Sequence, residues 1–289
     1  MEPLSVVVTR ADVVEARHRV HAVAVHDGKV VLEAGDSALV TFFRSSAKPI
    51  QALPLVRARP DLDDVEIAIA CASHLADEAQ LAAVRRLLAA APADEAELEC
   101  GSEPLLHNCS GKHAGFLAVC RARGWESAGY RLPDHPLQGE LLSEVAAAAG
   151  IEPGSIPVGV DGCGVPTLAL PLERMAFSFS RFAELDGGGR VIAAMRGNLD
   201  LIRGPIAADS LLMRLAPSWM AKGGAEGLLC ACSADGIGIA LKVVDGSTRA
   251  VGPALAEVLR RLGSDVPALA VVIVDNSRGE PVGEIRVEG

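Results

Sequence analysis

Apolar positions fall in short β-branched runs near the amino end, in helical stripes through the middle, and in short runs again towards the carboxyl end. Val6 to Thr9 and Val20 to Val25 predict strands. Asp27-Gly28, between Val25 and Val30-Val31-Leu32, predicts a tight hairpin, because glycine accepts the positive φ of such a turn. A further strand, Leu39 to Phe43, runs into Arg44-Ser45-Ser46-Ala47-Lys48-Pro49. Serine is a good N-cap and proline suits a first helical turn, so a helix is expected there. From Asp77 to Ala91, Leu81, Val84 and Leu88 line one helical face, and Pro92 ends it. Ser110 to Arg123, closed by Gly124, predicts another helix, as does the segment opened by Pro136 with Leu137, Leu141 and Val145 on one stripe. Leu168 to Phe182 and Val191 to Met195 also read as helical. Trp219 to Lys222, Leu228 to Cys232 and Ile237 to Val244 predict strands. A helix from Pro253 to Leu262 and strands at Leu269 to Asp275 and Gly283 to Val287 close the chain.

Strands at both ends with helices between favour an α+β fold over an alternating βαβ one. The expectation is a single unit over residues 1–289, its sheet drawn from about 1–44 and 217–289 and its helical region from about 45–216.

Composition narrows the function. Half of the 289 residues are hydrophobic and 22% are charged, which excludes a disordered chain and a coiled coil. Lys and Arg number 27 against 37 Asp and Glu, a net charge of −10. A nucleic-acid binder needs a basic surface to displace counterions, so no nucleic-acid partner is expected. The longest apolar run, Ala268 to Val274, is far short of a bilayer span, and no membrane association is expected. No secretory signal is visible at Met1-Glu2-Pro3-Leu4, and seven cysteines fit reduced thiols better than a disulfide framework. A cytoplasmic location follows as the expectation.

Several familiar chemistries are absent. No G-x-G-x-x-G follows a strand, Gly111-Lys112 lacks the other residues of a phosphate loop, and no G-x-S-x-G elbow is present. Chemistry without an organic cofactor gains by elimination.

Ser45-Ser46-Ala47-Lys48 is the strongest positive signal. At a helix start, residues i and i+3 share a face, which puts the Lys48 ammonium beside the Ser45 hydroxyl. A lysine withdrawn from water loses its proton more readily and can act as base toward serine. The same residues also read as a plain N-cap serine and a solvated lysine. Lys222-Gly223-Gly224, on a predicted strand, resembles the K-T-G element of penicillin-binding proteins and serine β-lactamases, where two lysines flank one nucleophile. Ser73, in Ala72-Ser73-His74, is a second candidate hydroxyl. Ser73 reads equally as an N-cap before Asp77, and Lys222 as an exposed turn lysine.

His107-Asn108-Cys109-Ser110-Gly111-Lys112-His113 places Cys109 and His113 four apart, on one face of a helix, where they could share a metal. Asp161-Gly162-Cys163-Gly164 adds a thiol in a glycine-rich turn. Such ligands suit Zn²⁺, and three protein ligands leave a position for water or substrate. Both thiols read equally as small buried hydrophobes.

Five blocks stand in the order found in the class 3, rhizobial-type L-asparaginases. They are Arg44 to Pro49, Ala72-Ser73-His74, His107 to Gly115, Asp161 to Pro166 and Ala221 to Gly227, and the chain resembles that family over about residues 44–227. The resemblance implies a fold like that of serine β-lactamases and penicillin-binding proteins, usually homodimeric, that hydrolyses L-asparagine to L-aspartate and ammonia. It implies Ser45 as nucleophile with Lys48 as its activating lysine, and Ser73 with Lys222 as a second Ser–Lys pair. Cys109, Lys112 and Cys163 match a zinc site in which a neutral lysine is the third ligand. Asp161 matches a carboxylate for the substrate's α-ammonium, and His113 is placed with it at the substrate. No organic cofactor is implied. After Ser73-His74 the family tends to continue Ser-Gly-Glu, whereas this chain has Leu75-Ala76-Asp77, and Asn198 to Ser210 follows the family pattern loosely. Two other readings stand beside asparagine hydrolysis: a glutaminase or other β-lactamase-like amidase, and a catalytically dead zinc-binding homologue.

Overall fold

The computed structural model describes residues 1–289. Four strands open the chain: β1 (Leu4–Arg10), β2 (Val13–His26), β3 (Lys29–Ala34) and β4 (Val40–Phe42). A 3₁₀ turn over Arg44–Ala47 leads into α1 (Lys48–Gln51), α2 (Leu53–Ala58), α3 (Asp64–Cys71), α4 (Glu78–Ala90), α5 (Ser110–Arg123) and α6 (Pro136–Ala149). Next come β5 (Val158–Val160), β6 (Pro166–Pro171), α7 (Leu172–Ser180), α8 (Gly188–Gly197), α9 (Leu199–Ile202) and α10 (Ala208–Leu215). The remainder is β7 (Trp219–Gly223), β8 (Leu228–Ser233), β9 (Gly238–Val243), α11 (Val251–Arg261), α12 (Pro267–Ala270), β10 (Val271–Asp275) and β11 (Pro281–Val287). No helix is long and apolar enough to cross a membrane.

The chain divides into two compact units. The sheet unit comprises Met1–Thr41, Pro171–Ser180 and Ile206–Gly289, and the helical unit Phe42–Leu170 and Arg181–Pro205. The fold is α+β, with strands from both chain ends in one sheet. The sheet unit also takes α7 and α10 from the stretch read as the helical region.

In the sheet unit the strands run β10-β11-β1-β2-β9-β8-β7, with β3 paired to β2. Neighbouring strands of this sheet are antiparallel, Leu4 opposite Val20 and Val20 opposite Val243. Asp27 and Gly28 take φ of 49° and 71°, the doubly positive turn that the hairpin between β2 and β3 requires. One set of strand side chains (Val6, Ala22, Leu229, Ile239, Leu241) packs with Leu255, Val258 and Leu259 of α11 into a buried apolar core. At roughly 1.5–3 kcal/mol per fully buried aliphatic side chain, this core is the main source of the unit's stability.

In the helical unit, α3 and α4 start where the chain supplies reciprocal caps. Asp63 and Glu66 cap α3, and Asp77 and Gln80 cap α4. The segment from Leu168 to Phe182, expected to be one helix, is instead the end of strand β6 followed by α7. Pro171 explains the break: a proline inside a helix removes one hydrogen bond and clashes with the preceding turn, so the helix begins only after it.

Candidate active site

The helical unit assembles its polar interior from four chain segments. Arg44 opens the first with φ of 48°, a left-handed conformation that costs a non-glycine residue on the order of 1–3 kcal/mol. Its Nε donates to Asp161 Oδ1 at 2.9 Å, in a pair only 25% and 12% exposed. The serines that follow are not helix caps: Phe43 occupies the capping position and no side chain caps the turn. Ser45 is half-buried, Ser46 is buried, and Lys48 opens α1.

Lys48 is 1% exposed. Its Nζ donates to the Ala72 carbonyl and, at 3.1 Å, to Ser73 Oγ. Burial drives its pKa down, the Cys109 thiol opposing and the Lys112 charge adding to the fall. A lysine so placed is disposed to give up its proton. Ser73 does not cap α4, a task Asp77 performs, so its hydroxyl is available to Lys48. The neighbouring His74 accepts the Ala76 N–H at Nδ1 (3.1 Å) and therefore donates from Nε2 to Ser110 Oγ at 2.8 Å. Burial, with the nearby Lys48 charge, lowers its pKa from 6.5 to about 4, so the ring is neutral at neutral pH.

Helix α5 brings in the third segment. A Cβ at Gly111 would lie 2.1 Å from the Ile69 carbonyl oxygen, so only glycine lets α5 approach α3 this closely. That approach sets Cys109 and Lys112 beside Lys48, and charge interactions link all three. Lys112 Nζ donates to Cys163 Sγ at 3.1 Å, and all three groups are buried. The hydrogen bond from Cys163 pulls the Cys109 thiol's pKa far down, with both lysines adding to the fall against burial, and correspondingly raises that of Cys163. Burial opposes the charge on Lys112, but the two thiols outweigh it and its pKa is raised. The cluster thus pushes Cys109 and Lys48 towards losing a proton, and Cys163 and Lys112 towards keeping one. A water-sized cavity of about 10 Å³ between Lys48 and Lys112 adjoins it.

The donors suit a soft divalent cation in type. Cys163 is hydrogen-bonded to both Lys112 and Cys109, so two sulfurs and a nitrogen, donor types that zinc accepts, are gathered together. Their third member is a lysine, and no group of three or more His, Cys, Asp or Glu side chains is placed to hold a metal. Cys109 is the N-cap residue of α5, and the backbone N–H of His113 donates to its carbonyl at 3.0 Å.

His113 is turned to another partner. The Glu99 N–H donates to Tyr130 Oη at 2.8 Å, and Tyr130 in turn donates to His113 Nδ1 at 2.7 Å. That relay leaves the proton of the neutral ring on Nε2, which is buried and has no hydrogen-bond partner. An orphaned buried donor costs about 1–3 kcal/mol, so its retention points to use by a bound molecule.

Lys222 belongs to the sheet unit. It is fully buried on β7, not an exposed turn residue, and its Nζ donates to the Gly223 carbonyl at 2.7 Å. Asp209 Oδ2 lies 3.9 Å from the same Nζ.

Sequence reasoning missed Arg44 as the partner of Asp161, Tyr130 as the partner of His113, and Asp209 as the neighbour of Lys222. Arg44 carried a signal, a lone charge between Phe43 and Ser45, whereas Tyr130 and Asp209 carried none that a single sequence reveals. A separate cavity of about 200 Å³, lined by Gln51, Leu141, Val158 and Leu168 among others, has no charged side chain and cannot grip an amino acid's charged ends.

A family model described as L-asparaginase II matches residues 6–287. Among solved structures, one from Bacteroides dorei DSM 17855, named as a candidate beta-lactamase, aligns with a TM-score of 0.42 at 14% identity, covering 83% of this chain and 93% of that one. No curated protein matches the sequence.

Proposed function

The chain belongs to the L-asparaginase II family, and from that premise we propose that the buried polar interior of the helical unit is where the side-chain amide of L-asparagine is cleaved. The reaction is that of an amidohydrolase, yielding L-aspartate and ammonia. The observation that carries the assignment is Lys48 Nζ within 3.1 Å of Ser73 Oγ, both buried, with Ser45 one short turn before Lys48.

In this reading Ser45 Oγ attacks the amide carbon and its proton passes to Lys48, the lysine whose burial favours the neutral form. Ser73 gives its own proton to the leaving nitrogen as the C–N bond breaks, and Lys48 replaces it, so ammonia departs and an ester remains on Ser45. Water then attacks that ester, Lys48 takes the water's proton and returns it to Ser45, and aspartate is released. Asp161 holds the α-ammonium, and Arg44, already paired with it, supplies a donor fork for the α-carboxylate. The free Nε2–H of His113 donates to the bound substrate. Lys222 is the second lysine of the same reading.

Cys109, Lys112 and Cys163 are the residues that would hold zinc, with Lys112 and both thiols losing their protons on binding. Bound there, the metal would polarise a carbonyl or water. The reading also includes a fold of the serine β-lactamase type, a homodimer, and a reducing cytoplasm, which suits seven free, buried cysteines.

The test is ammonia release from L-asparagine by purified Ser45→Ala protein. Turnover is expected to fall by at least about a thousandfold, and wild-type turnover would refute the assignment.

A further inference from the structure

We propose that Asp209 is a positioning residue for Lys222, holding it at the end of β7 as a standing positive charge rather than as a second base. The proposal rests on the reading of Lys222 as catalytic.

Asp209 lies in the first turn of α10 and is 1% exposed. Its Oδ2 accepts the Gly223 N–H at 2.7 Å and its Oδ1 the Ser210 N–H at 3.1 Å, so both oxygens face donors, as an acceptor-only carboxylate requires. Lys222 grips the other side of the same glycine, donating to the Gly223 carbonyl at 2.7 Å. Acid and lysine are therefore locked to one residue, with Nζ 3.9 Å from Oδ2. The strand permits this. β7 ends the sheet path, and in an antiparallel pair alternate residues turn their backbone groups away from the neighbouring strand. The Gly223 N–H goes to Asp209 instead of into the sheet.

Of the two elements of this unit packed on β7, α10 presents Asp209 to Lys222, and β8 places Cys230 opposite it. Arg214 lies in the last turn of α10. A buried ammonium next to a carboxylate keeps its proton. In this environment Lys222 is a fixed charge.

Asp209→Asn removes the charge while its amide oxygen still accepts the Gly223 N–H, giving up only the longer bond from Ser210. In the full-length protein acting on L-asparagine, this variant is expected to lower kcat at least tenfold. It should also move the alkaline limb of the kcat profile down by about one to three pH units, while Asp209→Glu stays near wild type. Lys222→Ala, as reference, is expected to abolish turnover. An inactive Lys222→Ala beside an Asp209→Asn profile that does not move overturns the proposal alone. Wild-type turnover in Lys222→Ala overturns the catalytic reading of Lys222 and the proposal with it. Should Asp209→Asn fold poorly, adding Lys222→Met is expected to restore its thermal midpoint by removing the uncompensated charge, and failure to restore it overturns the proposal.

Discussion

The two units are filled differently. Around α11 the sheet unit buries aliphatic side chains from seven strands and helices almost without polar interruption, the Asp209–Lys222 pair at the end of β7 being set apart from that core. The helical unit buries Lys48, Ser73, His74, Ser110, Lys112 and His113, each no more than 7% exposed. Burying polar groups costs free energy unless each finds a partner, and most here do: Lys48 with Ser73, His74 with Ser110, Lys112 with Cys163. The apolar interior serves stability, whereas the polar one spends stability on chemistry. Groups with displaced pKa values concentrate in the second.

Substitutions should separate these two kinds of interior. Lys48→Met is expected to reduce kcat by about 10³-fold or more while preserving the circular dichroism spectrum, since it removes the base and a buried charge together. Leu229→Ala in the sheet unit should do the reverse, lowering unfolding free energy by about 2–5 kcal/mol with kcat within twofold of wild type. Denaturant titration beside steady-state kinetics distinguishes the two outcomes. Glutamine, one methylene longer than asparagine, should be disfavoured in kcat/KM by roughly 1–3 kcal/mol, and equal values would shift the assignment to a broader amidase. The smallest effect concerns His74. Its folded pKa, about 4, lies below the unfolded 6.5, so the unfolded chain takes up the proton first. Stability should therefore decline as pH falls from 6.5 towards 4, by on the order of 1–3 kcal/mol, and this slope should flatten in His74→Gln.

The same contrast explains what a single sequence reveals. In the sheet unit, β-branched runs and Asp27-Gly28 state the strand pattern directly, because local geometry and burial agree. In the helical unit, α5 is buried at every position from Ser110 to Cys120, which erases the one-sided stripe by which a helix is read. The cues there were chemical: Ser45-Ser46-Ala47-Lys48 and the Cys-Ser-Gly-Lys-His run stood out by residue type and spacing. Long-range pairings were illegible from spacing, and only the family resemblance grouped Lys112 with Cys163. Arg44 meets Asp161 across 117 positions, Lys112 meets Cys163 across 51, and Asp209 reaches Gly223 only because α10 folds back on β7. Serines that read as helix caps proved otherwise, because Phe43 and Asp77 hold those positions.

Rapid acid quench of the enzyme turning over L-asparagine, followed by peptide mass spectrometry, addresses the nucleophile itself. An aspartyl adduct on the peptide containing Ser45, absent from Ser45→Ala, is the predicted result. The adduct on Ser73, or steady turnover with no covalent adduct on either serine, would contradict the account.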